Sequence, residues 1–81
     1  MDSGYNEVKF LILDTLRDLT EATVQEVATE LERSHCSVSM AMLRYHRMGL
    51  LSRYSIERNT KVYSLTSRGY ERLDWLAHAF I

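Results

Sequence analysis

The sequence predicts a mainly α domain carrying a small β-hairpin, and three observations lead there. Apolar residues recur at helical spacing in three successive segments, the period changes to two between residues 52 and 66, and helical spacing then returns. Eighty-one residues suit one domain spanning 1–81. A chain of this size buries only about 60% of its unfolded surface, so its core is marginal and oligomerisation is a common remedy.

The first helix is expected over 5–19, where Val8, Leu11, Ile12, Leu16 and Leu19 form one apolar face. Phe10 and Leu13 fall outside that stripe, so the helix is apolar nearly all round and must be covered on a second side. A partner subunit or the C-terminal helix could supply that cover. In TEATVQEVATELER, Thr23 followed by Glu26 has the spacing of a capping box, and Val24, Val27, Ala28 and Leu31 then give a short amphipathic helix. The third helix, over 34–48, starts at Ser34 as N-cap. Val38, Ala41, Met42 and Tyr45 mark its inward face, and Gly49 stands where a left-handed C′ residue belongs.

From Leu51 onward Arg53, Ser55 and Glu57 alternate with Tyr54 and Ile56, and alternation resumes in KVYSLT. Two strands near 52–57 and 61–66, turning at Asn59, make a hairpin. Thr66 caps a last helix whose stripe is Tyr70, Leu73, Leu76, Ala77 and Phe80, with Trp75 off that stripe. Three helices, a two-stranded wing and a C-terminal helix follow one another in the order of a winged helix-turn-helix.

At this point the residues themselves resemble a known group. The segment from Ala28 to Leu51 is similar, without a gap, to the helix-turn-helix of MarR-like, ArsR-like and PadR-like transcription regulators. Ala28 and Leu31 stand where helix two packs, Ser34 where helix three is capped, and Val38, Met42 and Tyr45 at its buried positions. Gly49-Leu50-Leu51 leads into the wing, and Val62-Tyr63-Ser64-Leu65-Thr66-Ser67-Arg68-Gly69 resembles the segment that closes it. The chain departs from the pattern at Glu32 and Arg33, where these families usually have glycine and an apolar residue.

The resemblance implies sequence-specific binding to double-stranded DNA by a transcription regulator, with helix 34–48 in the major groove and the 52–66 wing on the backbone or minor groove. The candidate contacts on helix three are His35, Ser37, Ser39, Met40, Leu43, Arg44 and Arg47. Hydroxyl groups there reach bases or phosphates, a methionine meets a thymine methyl, and an arginine forks onto guanine. On the wing they are Arg53, Arg58, Asn59 and Lys61, with Arg58 at the tip suited to a minor groove and Arg53 and Lys61 to phosphates. A homodimer through Phe10, Leu13 and Trp75 would present two such helices. The alternative is a winged helix used for protein–protein interaction without DNA binding, for which the apolar Met40 and Leu43 speak.

Net charge is −1, yet it is unevenly spread. Residues 1–33 carry three basic against eight acidic residues, a net of −5, and residues 34–81 carry seven against three, a net of +4. One basic and one acidic face follow from such asymmetry. The chain has one cysteine, no apolar run long enough to span a bilayer and no basic-then-apolar start, so a cytoplasmic protein without disulfide or secretory signal is expected. His35, Cys36, His46 and His78 have no recognised ligand spacing, so no metal or other cofactor is expected, and His46 is expected at the surface. Cys36 near a helix start could act as a redox group, although a tolerated small residue suits the position better. With no phosphate-cradling glycine loop and no nucleophile motif, enzyme activity has no support.

Overall fold

The structure, a computed structural model, describes residues 3–79, with side chains from residue 6 onward. Its elements are α1 (Ser3–Leu19), β1 (Glu21–Thr23), α2 (Val24–Leu31), α3 (His35–Arg47), β2 (Leu51–Glu57), β3 (Thr60–Leu65) and α4 (Ser67–Ala79). The winged helix-turn-helix expected from the sequence is present, with one addition. The three-residue β1 joins the hairpin to make an antiparallel sheet of order β1-β3-β2. Glu21, Ala22 and Thr23 pair with Ser64, Tyr63 and Val62, so β3 is the central strand.

Each helix end has a local cause. The Thr23 hydroxyl accepts the Glu26 amide at 3.1 Å, and the Glu26 carboxylate accepts the Thr23 amide at 2.9 Å, completing the capping box. α2 stops where Glu32 turns left-handed at φ 55, with the Glu32 amide donating to Thr29 and the Arg33 amide to Ala28. α3 stops the same way at Gly49, φ 83, its amide donating to His46 and the Leu50 amide to Tyr45. Thr66 links wing and α4: its hydroxyl donates to the Gly49 carbonyl at 2.7 Å and accepts the Gly69 amide at 3.0 Å.

The core is one cluster in which Ile12, Leu13 and Leu16 of α1 meet Val27, Val38, Met42, Tyr45, Leu50, Leu51, Leu73 and Leu76. Several expectations are corrected here. The buried face of α1 is centred on Ile12, Leu13 and Leu16, while Leu19 is exposed and Leu11 only half-buried. Lys9 and Thr15 are buried beside this face, and the Lys9 ammonium lies 5.7 Å from the centre of the Tyr45 ring. Leu13 is wholly enclosed by its own chain and cannot form a dimer face. Of the three residues expected there, only half-buried Phe10 and exposed Trp75 reach the surface. On α4, Leu73 and Leu76 are buried as expected, Tyr70 is exposed instead, and Phe80 lies outside the described residues. Among the described residues no helix is long and apolar enough to cross a membrane.

Candidate nucleic-acid interface

The cap of α3 fixes which side chains face outward. Ser34 Oγ accepts the Ser37 amide at 3.0 Å, setting the helix phase so that Val38, Ala41, Met42 and Tyr45 are buried. His35, Cys36, Ser37, Met40, Arg44 and Arg47 consequently lie exposed, and Met40 keeps 61% of its surface. Ser39 and Leu43 are half-buried rather than fully exposed. His46, expected at the surface, is half-buried too: its Nδ1 donates to the Leu51 carbonyl at 2.9 Å, and its ring meets Tyr63 edge-on at 6.4 Å.

The wing folds back toward this helix. Arg58 and Asn59 form the two-residue turn between β2 and β3. Next to the turn Glu57 pairs with Thr60, but the register shifts between Ser55 and Glu57, so that Lys61 faces Ser55 and Tyr63 faces Arg53. Ile56 is the extra residue of this bulge, and bulges bend and twist the strand that carries them. Arg53 Nη1 donates to the Tyr63 hydroxyl at 3.1 Å, and Lys61 Nζ donates to Ser55 Oγ at 3.4 Å. On the other face of the hairpin, the Tyr54 hydroxyl donates to Glu21 at 3.1 Å. That carboxylate, accepting the phenol proton and repelling a phenolate, raises Tyr54 above the usual tyrosine value.

Between α3 and the wing lies an open groove of about 370 Å³. α3 contributes His35, Ser39 and Leu43; the wing contributes Arg53, Asn59, Thr60, Lys61 and Tyr63; the amino end of α2 closes it with Thr23, Val24 and Gln25. None of these residues is acidic, whereas Glu21, Glu26 and Glu30 line a neighbouring depression with Leu19, Thr29 and the shared Gln25. The charge asymmetry read from the sequence thus becomes two surfaces. A groove with two cations, hydroxyl and amide groups and no carboxylate suits a polyanion.

Of the expected contact residues, the groove brings together His35, Ser39, Leu43, Arg53, Asn59 and Lys61. Ser37, Met40, Arg44 and Arg47 lie exposed on α3 outside its lining, and Arg58 sits exposed at the wing tip. Leu43, which looked misplaced in the sequence, forms part of the groove wall. Gln25, Thr60 and Tyr63 were not anticipated there. Cys36 is exposed and unpaired, and no cluster of three potential metal ligands exists among the described residues.

No family model matches the chain, and no curated protein does. Solved structures do. The YusO protein from Bacillus subtilis is 21% identical with a TM-score of 0.79, over 86% of this chain and 51% of that one. A MarR mutant from E. coli complexed with operator DNA is 16% identical with a TM-score of 0.77, over 88% and 52%. A MepR mutant from S. aureus bound to an oligodeoxyribonucleotide is 22% identical with a TM-score of 0.78, over 89% and 55%. The chain spans about half the length of these structures. At such identities the likeness establishes the fold: this is a winged helix-turn-helix domain of the architecture seen in MarR-type regulators.

Proposed function

We propose that this protein is a transcription regulator of the cytoplasm that binds double-stranded DNA, with α3 in the major groove and the wing on the backbone or minor groove. The observation that carries the reading is the groove between α3 and the wing, which gathers Arg53 and Lys61 and has no acidic residue among the described residues that line it. The two DNA-bound structures with the same fold support it. In this reading Ser37, Ser39, Met40 and Arg44 face base edges, His35 and Leu43 pack against the strand beside them, and Arg47, Arg53 and Lys61 take phosphates. Arg58 and Asn59 at the wing tip lie along the minor groove.

A homodimer completes the proposal. Phe10 and Trp75 remain at the surface for it, and a two-fold pair would read half-sites about 34 Å apart. The mass of the protein in solution tests the dimer.

Exposed Met40 on α3 favours a protein partner instead. A mobility-shift assay with random duplex DNA at low and moderate salt separates the two readings. DNA binding predicts a shift at low salt that fades as salt rises; a protein-interaction module predicts no shift at either. Selection of bound sequences from a random pool then supplies the operator. On it, Arg44→Ala should blur discrimination among sites, while Arg58→Ala should weaken binding to all of them.

A further inference from the structure

We propose that Tyr63 is a positioning residue: it holds the Arg53 guanidinium over the groove, so that a phosphate meets an arginine already in place. The DNA contact rests on the reading above; the positioning itself does not.

Arg53 is an exposed side chain on the edge strand β2, and nothing in its own strand would keep it from sweeping through solvent. Tyr63 stands directly opposite on the central strand β3 because of the bulge at Ile56. Its hydroxyl accepts Arg53 Nη1 at 3.1 Å, and the guanidinium carbon lies 5.9 Å from its ring centre. The contact uses one of the five guanidinium N–H donors, leaving the others for a phosphate.

Tyr63 can hold an arginine because it is itself held. It is 4% exposed, it lies in the core cluster, and the His46 ring packs edge-on against it at 82°. His46 in turn donates to the Leu51 carbonyl at the start of β2. The position of Arg53 is therefore referred, through Tyr63 and His46, to the same α3 that carries the base-facing residues. Lys61 has a looser tether, a 3.4 Å bond to the exposed Ser55 hydroxyl. Ordering a long side chain before binding removes that cost from the complex.

The test uses Tyr63→Phe, which keeps the ring in the core and removes only the acceptor. ¹⁵N relaxation at Arg53 Nε in the free protein reads the tether directly. The order parameter should be high in the parent protein and fall below about 0.6 in the variant. Binding to duplex DNA should weaken about three- to tenfold in Tyr63→Phe, the range of an ordinary hydrogen bond, whereas adding Tyr63→Phe to Arg53→Ala should cause no further loss beyond that of Arg53→Ala alone. Equal mobility of Arg53 in parent and variant overturns the proposal. So does a loss of affinity that is the same with and without Arg53, which is what a general structural effect would give. If the parent protein binds no duplex at all, the DNA reading falls, and the relaxation comparison still decides whether Tyr63 positions Arg53.

Discussion

Two helices of this chain end in one hydrogen-bond pattern with different residues at its left-handed position. Gly49 occupies it after α3 without strain, whereas Glu32 occupies it after α2 and carries a Cβ into a region that favours glycine. Thr20, between α1 and β1, is a second case, at φ 74 with a β-branched side chain. Glu32→Gly and Thr20→Gly should each raise stability by about 0.5–1 kcal/mol in chemical denaturation, the relief of backbone strain exceeding the added entropy of the unfolded chain. Gly69 demands the opposite. A Cβ there would lie 2.1 Å from the Leu50 carbonyl oxygen and 3.1 Å from Leu65, so Gly69→Ala should destabilise by about 3 kcal/mol or more in thermal melts, by forcing α4 off the base of the wing. The glycine of the SLTSRG segment was visible in the sequence; the carbonyl that makes it necessary was not, because it comes from a residue far away in the chain.

Periodicity made the elements legible, since the caps at Thr23, Ser34 and Thr66 and the turn at Arg58-Asn59 act locally. What depended on distant contacts was harder to read. β1 is three residues long and exists because β3 offers it a partner. Lys9 and Leu13 look like a solvated residue and a spare apolar one until α3 places Tyr45 beside the first and α4 closes over the second face of α1. In the wing, a regular hairpin with a two-residue turn would put Arg53 opposite Ser64. The bulge moves the pairing by one and brings Tyr63 there, so the Arg53–Tyr63 contact could not be obtained by counting. The opposite face of the wing supplies a pH prediction. Because Tyr54 is raised in the folded protein, its bond to Glu21 favours the fold at neutral pH and is lost only as alkaline titration carries pH upward through the folded value. In an absorbance titration Glu21→Gln should lower the pH at which Tyr54 ionises.

At the scale of the whole molecule, the decisive property is where the charges go. Glu21, Glu26 and Glu30 of the first half line one depression, and Arg53 and Lys61 of the second half line a neighbouring groove, so a net charge of −1 hides a local excess of basic residues. The sequence already pointed to the two halves, and the fold turned them into two surfaces. A marginal core and a chain of half the length of its structural matches make the homodimer a claim about assembly rather than about the groove, and the two are separable. The most direct test of the groove is the salt dependence of binding to a duplex. Each phosphate neutralised contributes about 0.9 to the slope of log affinity against log salt. The parent protein should bind at low salt with a steep slope, and the Arg53→Ala, Lys61→Ala double variant should bind more weakly with a slope shallower by about 2. Identical slopes in the two proteins, or no binding at low salt, would contradict the account.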